Sequence, residues 1–271
     1  MSNTIIKTIS LKEQFFDWLP ENNRFERIWK LAHVEFKKRY YNDRLGLLWA
    51  LLNPLFQMSI YYLVFKYIFK AEEANFGLFL FCGLIIWMAY QECTVQGMHL
   101  LNTKRFLIEN IQFNQLDLFF SHTLSVFIGL GFNTFVFILL CLIAGLPLGW
   151  SMLTLPLLFL NLFFIATGSS IILATLKIYL RDIVHLWAIV LLLGFWGSGI
   201  FFSGDKLLDL FAPLYYANPF VGIIMNIRAI VMQGIAPDWT LLAINMGTGL
   251  LILGIGILLF RKYGHRFLET I

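Results

Sequence analysis

Residues 39 to 54, RYYNDRLGLLWALLNP, set a cationic run directly against a hydrophobic boundary. Lys37, Lys38, Arg39 and Arg44 stop at Leu45, and an apolar segment then runs to about Phe69 with Asn53-Pro54 a few residues inside it. Lysine and arginine collect on the cytoplasmic flank of membrane spans, so this junction predicts a helix that enters a bilayer from the cytoplasm. Composition agrees. With 59% hydrophobic and only 13% charged residues, a water-soluble domain would lack a charged surface. An all-α integral membrane protein is the fold class expected.

A spanning helix needs about 20 mostly apolar residues. Six such stretches are expected, at about 47–69, 76–100, 116–145, 153–176, 186–202 and 241–260. All but four of the 20 lysines and arginines fall on one side of this arrangement, the exceptions being Lys66, Lys70, Lys206 and Arg228. That imbalance predicts both termini in the cytoplasm and an even number of spans. No secretory leader is visible in the polar and amphipathic first 45 residues, so the first span is expected to direct insertion.

Residues 1–46 form a cytoplasmic region distinct from the membrane domain at 47–271. Ser10 and Glu13 have capping-box spacing ahead of Phe15, Phe16 and Trp18, and Pro20 ends that short helix. A second helix is expected from about Asn23 to Tyr41. Phe25, Ile28, Trp29, Ala32, Phe36 and Tyr40 recur at three- and four-residue steps, and Arg24, Arg27, Lys30, Lys37, Lys38 and Arg39 supply a cationic lipid-headgroup face. The pattern is that of a helix in the headgroup plane, serving as a plain anchor or as a dock for a cytoplasmic partner. Between the fifth and sixth spans, Asn218-Pro219 breaks the chain before an apolar run interrupted by Arg228. That run reaches only about 20 Å at 1.5 Å per residue, too short to cross. A re-entrant or interfacial helical segment at about 215–235 on the outer side is expected, packed against protein or a water-filled cavity.

Several function classes are excluded by pattern. The bases flank membrane segments and form no nucleic-acid stripe. The glycines make no phosphate-cradling loop. His33, His99, His122, His185 and His265 have no metal-ligand spacing, and Cys82, Cys93 and Cys141 read as small buried hydrophobes. No catalytic or metal-ligating set is expected. Ion-coupled transport would place acids or bases near the midplane. Glu92, with Gln96 and His99 on one face, is the main candidate, and it reads equally as an acid paired with a base near the inner surface. Asp117 and His122, at the start of the third span, can reach the interface.

Trp49, Asn53, Gln57 and Tyr61 stand four residues apart on one face of the first span. Two amides there need partners, supplied by another helix or by an aqueous path. Trp187, Gly194, Ser198 and Phe201 or Phe202 form a companion face on the fifth span. Aromatic rings with interspersed hydrogen-bonding groups suit a long sugar polymer, whose C–H faces stack and whose hydroxyls bond. Ser121, Ser125, Gly129 and Asn133, and the Gly168-Ser169-Ser170 run, read as close helix packing. Lys104, Arg105 and Glu109 in one loop, and Arg181 and Asp182 in another, read either as topology determinants or as a surface that receives force from an ATPase.

Three motifs carry a resemblance. RYYNDRLGLLWALLNPLFQ (39–57), YLRDIVHL (179–186) and YYANPF (215–220) resemble the start of the first span, the loop before the fifth and the Asn-Pro segment of ABC-2 type polysaccharide-exporter membrane subunits. Order and spacing match along essentially the whole chain. The chain departs from the family pattern at 103–116, where FLIENIQFNQLD lacks the Phe-Pro that often follows the basic pair. The resemblance implies a half-transporter. Two copies would make the pore, and two copies of a separate ATP-binding subunit, holding ATP and Mg, would sit beneath. The cargo would be a glycan on a polyprenyl diphosphate carrier in the inner membrane, with an O-antigen expected, and capsular polysaccharide or teichoic acid as alternatives. A small-molecule efflux subunit and a lipid-modifying membrane enzyme are the competing classes, the latter lacking clustered acids or histidines here. The first and fifth spans would line the conduit, with the coupling helix after the second.

Overall fold

The computed structural model describes residues 23–40, 46–70, 75–111, 113–204, 208 and 215–264. The capping signal at Ser10 and Glu13, the helix ending at Pro20, and Lys206 lie outside the described residues. Among the described residues no strand occurs. In chain order the helices are α1 (Arg24–Tyr40), α2 (Leu48–Leu63, running on as a π-helical turn Val64–Ile68), α3 (Phe76–Thr103), α4 (Arg105–Asn110) and α5 (Leu116–Ile143). Then come α6 (Leu155–Tyr179, after a 3-10 turn Trp150–Thr154), α7 (Ile183–Gly197), α8 (Pro219–Met232) and α9 (Trp239–Tyr263).

Five of these segments are long and apolar enough to cross a membrane: Leu48–Ile68, Phe76–Thr103, Leu116–Ile143, Trp150–Tyr179 and Trp239–Tyr263. The stretch expected as a fifth span at 186–202 differs. Its helix begins earlier, at Ile183, and ends at Gly197 after 15 residues. That is about 22 Å of helix, short of the roughly 30 Å hydrocarbon layer. Gly199, with φ +80, turns the chain out of the helix in a conformation natural to glycine.

Helix α3 is the central post. Of its most apolar window 72% is buried, against 6% for the Leu48–Ile68 segment. Leu80, Phe81, Leu84 and Ile86 are fully enclosed in a core shared with α5, α6 and α8. The closest helix pair is α6 with α9. A Cβ on Gly168 would lie 2.6 Å from the Leu253 nitrogen, and one on Gly256 would lie 2.8 Å from the Gly168 carbonyl oxygen. Without lipid-versus-core contrast to drive association, such small-residue contacts let backbones pack by dispersion.

Helix α8 starts at mid-height. Phe220 packs on Tyr90 at 4.4 Å and Trp87 at 5.1 Å between ring centroids, near the middle of α3. Eight residues later, Arg228 reaches Phe79 near the start of α3. Asn218 prepares this start by two bonds. Its side-chain oxygen accepts from the Phe220 N–H at 3.0 Å, and its Nδ2 donates to the Gly197 carbonyl at 2.9 Å. Pro219 occupies the first helical turn, where its missing N–H costs nothing.

Candidate functional site

The four-residue spacing of α2 brings Trp49, Asn53 and Gln57 to the wall of a cavity of about 450 Å³. Helix α3 contributes Glu92 and Gln96, α5 contributes Gly129 and Asn133, and α1 closes the mouth with Arg39 and Tyr40. Gln57 Nε2 lies 3.5 Å from Asn53 Oδ1. Pro54, on the same wall, has no N–H to give the Ala50 carbonyl, so that acceptor lacks its usual helical donor. Asn133 Oδ1 is buried without a hydrogen-bond partner among the described residues. The cavity is therefore lined by the amides of Asn53, Gln57 and Asn133 beside the Trp49 ring. Such a surface can bond hydroxyls and stack an apolar face.

Arg39 governs the mouth. It pairs with Glu92 at 2.9 Å and donates from Nη2 to Gln96 Oε1 at 3.1 Å. Gln96 Nε2 donates to Glu92 Oε1 at 3.1 Å, closing a three-membered ring of contacts. Glu92 is thus an acid paired with a base. A second cavity of about 440 Å³ shares Arg39, Val95 and Gln96 with the first. It is bordered by Lys38, His99, Lys104, Glu35 and His122. His99 Nδ1 meets Lys177 Nζ at 2.5 Å.

The apolar face predicted for α1 is divided. Phe25 is 88% exposed and Trp29 54%, while Leu31, Ala32 and Tyr40 are buried. Arg24, Arg27 and Glu35 point inward. The cause is the charge presented by the bundle. Asp117, fully buried in the first turn of α5, accepts Arg24 Nε at 2.6 Å and Arg27 Nη2 at 2.5 Å. A carboxylate there also meets the positive end of the helix dipole. Glu35 takes Lys104 Nζ at 2.5 Å on one oxygen and His122 Nδ1 at 3.2 Å on the other. Burial alone would push the Glu35 carboxyl up. The His122 hydrogen bond and the Lys104 ammonium outweigh it and hold the group at about 2. Lys30 pairs with Glu26 at 2.9 Å, and Lys37 and Lys38 remain exposed.

The remaining predicted residues divide into separate places. Tyr61 leaves the cavity stripe and packs edge-on against Phe201 at 5.2 Å, and Phe65 stacks on Phe201 at 4.8 Å. Trp187 lies against Tyr90 at 6.3 Å, and its indole nitrogen is buried without a hydrogen-bond partner among the described residues. Ser198 is buried and donates to the Phe195 carbonyl. Phe202 is half-exposed. The stretch after Thr103, where the chain departs from the family pattern, forms α4, a six-residue helix with Arg105 Nε 2.7 Å from Glu109. Arg181 and Asp182 sit exposed in the turn before α7. Asn218, Pro219 and Arg228 gather at α8, as described above. Among the described residues no His, Cys, Asp and Glu cluster could hold a metal ion.

Glu35 was missed by sequence reasoning, and Asp117 was placed only near the interface. The available signal was an acid inside a basic helix and another at the start of a long apolar run. Neither indicates its partner.

A helical bundle with five segments able to cross a membrane, an amphipathic helix clamped on it by ion pairs and a polar cavity beside the first span defines a multi-pass membrane domain. Residues 26–232 match the ABC-2 type transporter family, and the chain belongs to that family. It is 24% identical over 249 residues to an O-antigen export system permease protein RfbA of Klebsiella pneumoniae, covering 91% of this chain and 95% of that protein. It is 25% identical over 247 residues to the protein of the same name from Myxococcus xanthus, covering 89% and 94%.

Proposed function

We propose that this chain is the membrane-spanning permease subunit of an ATP-driven exporter of lipid-linked polysaccharide of the O-antigen type, in the bacterial inner membrane. Two copies form the conduit. A separate subunit, also in two copies, binds ATP and Mg and hydrolyses the nucleotide. In this reading Ile183–Gly197 and the irregular stretch to Phe202 make up the fifth of six spans, α8 is a re-entrant helix from the outer face, and both termini are cytoplasmic.

The observation that carries the reading is the cavity that brings Asn53 and Gln57 of the first span together with Asn133 and the Arg39–Glu92 pair. Amides beside an aromatic ring are the chemistry a sliding glycan uses. The kinship to two proteins named as O-antigen export permeases supports the substrate class. Helices α2 and α7 fully bury only Pro54 and Leu191 and leave an apolar surface uncovered, with Leu48, Phe56, Ile60 and Leu63 on α2 and Ile189, Leu192 and Leu193 on α7. A second copy and lipid would share that surface. With Arg24 and Arg27 held by Asp117, Lys37 and Lys38, exposed on α1, meet a diphosphate headgroup, while Phe25 and Trp29 rest in the interface. Movement of the ATP-binding subunits enters through α4, at Lys104, Arg105 and Glu109, and through Arg181 and Asp182.

The test is deletion of the gene, followed by analysis of surface glycan and of lipid-linked intermediates. Loss of the surface polymer with its lipid-linked form retained inside is expected. Unchanged surface glycan overturns the reading.

A further inference from the structure

We propose that Glu35 is a positioning residue for transport, which passes displacement of α4 to the mouth of the cavity at Arg39. The proposal rests on the reading of the chain as the membrane half of an ATP-driven exporter and adds a residue and a route to it.

Glu35 stands where three elements meet. Its carboxylate belongs to α1, one oxygen engages Lys104, and the other engages His122 of α5. Lys104 is both the last residue capping α3 and the first capping α4. It is therefore the pivot between a long buried post and a short helix with exposed Phe106. The side chain of Glu35 is only 10% exposed, so its contacts are not the loose kind that water replaces freely. A buried carboxylate stripped of one partner is costly. When Lys104 shifts, the low-energy response is for Glu35 to follow.

Glu35 cannot follow alone. Helix α1 is continuous from Arg24 to Tyr40, and residues four apart lie on one face. Arg39 is one turn beyond Glu35 on that face, and it holds Glu92 and Gln96 where the two cavities share their walls. A displacement of Lys104 thus arrives at Arg39 through one rigid turn. At the other end of α1, the buried Asp117 grips Arg24 and Arg27. Both ends of α1 are thus held, by Asp117 at one and by Glu92 and Gln96 at the other, so a displacement at Glu35 is borne by the Arg39 contacts one turn away.

The test uses the chain assembled with its ATP-binding partner in lipid nanodiscs for hydrolysis and in cells for export, read as glycan exported per ATP hydrolysed. Glu35→Gln keeps the shape and removes the charge. It is expected to leave assembly and hydrolysis near wild type and to lower export per ATP about tenfold, an ordinary size for coupling between sites. Lys104→Gln is expected to reproduce that loss, and the double variant to be no worse than either single one. Wild-type export per ATP in E35Q, additive losses in the double variant, or an equal fall in hydrolysis and export each overturn the proposal. Variant complexes that fail to assemble also overturn it, because the junction then serves only to hold the fold. A wild-type complex that hydrolyses ATP and exports no glycan instead removes the underlying reading, and it does so before any variant is made.

Discussion

The guanidinium of Arg228 lies over the ring of Phe79, 3.3 Å from its centroid, and its Nη2 donates to the carbonyl of that same residue at 2.9 Å. Nη2 also donates to the Ile200 carbonyl at 2.7 Å, and Nη1 donates to the Gly199 carbonyl at 2.8 Å. One buried side chain from α8 therefore ties the start of α3 to the chain leaving α7. The planar five-donor fork is what makes this possible, and an ammonium cannot copy it. A cation also suits the C-terminal end of a helix, where carbonyls lack partners.

Replacing Arg228 by Met removes the donor to the Gly199 and Ile200 carbonyls in an apolar setting. The expected loss is roughly 2–5 kcal/mol of stability. Lys at this position should fall between Met and the wild type. Thermal unfolding of the detergent-purified protein measures both, and a midpoint for the Met variant equal to wild type would contradict the clasp.

Asp117→Asn removes the charge that draws Arg24 and Arg27 inward. Arg24 is half-exposed, so its share is screened and the total cost is expected to be about 1–3 kcal/mol. The effect should be local. Amide hydrogen exchange in residues 24–32 should accelerate while α3 and α6 stay protected. Uniform protection would show that apolar contacts alone hold α1.

Cysteine at Asn53 or Gln57 should react with a water-soluble thiol reagent, because both positions border the cavity. Cysteine at Leu80 or Phe81, both fully buried, should not. The native Cys82, Cys93 and Cys141 are buried and give the background. Silence at both α2 positions in every nucleotide state would rule out an aqueous path there.

The pH dependence of the Glu35 junction has a defined sign. Its folded pKa, about 2, lies below the ordinary 4.5, so the native state binds the proton less readily than the unfolded chain does. The stabilisation is fully present above about pH 4.5 and is lost as pH falls toward about 2. The difference in unfolding midpoint between wild type and Glu35→Gln should be flat near neutrality and shrink through that acid window. A difference that instead changes between about pH 6 and 8 would place the junction's titration elsewhere.

Gly168 sits against the backbone of α9. Ala there forces the closest helix pair apart, with an expected cost of about 1–3 kcal/mol. Ala at Gly131, which has open space, is the control. Equal unfolding midpoints for the two variants would show that α6 and α9 tolerate separation.

The sequence by itself determined the apolar lengths, the helical class, the amide face of α2 and the Asn-Pro start of α8. All of these are local quantities. Periodicity places Trp49, Asn53 and Gln57 on one side of a helix whatever surrounds it, and Pro219 starts a helix through its own ring. Tertiary structure decided what those faces meet. Tyr61 continues the stripe by spacing, yet it packs on Phe201, because the chain leaving α7 passes beside it there. Helix α1 reads as a cationic face toward lipid headgroups, yet Arg24, Arg27 and Glu35 pair with charges of the bundle. The acid and bases that hold it, Asp117, His122 and Lys104, lie far along the chain, with 93 positions separating Arg24 from Asp117 and 87 separating Glu35 from His122. A helix's own pattern records which residues share a face. Which face turns inward depends on charges presented by other segments, and only the assembled bundle brings those within a few ångströms.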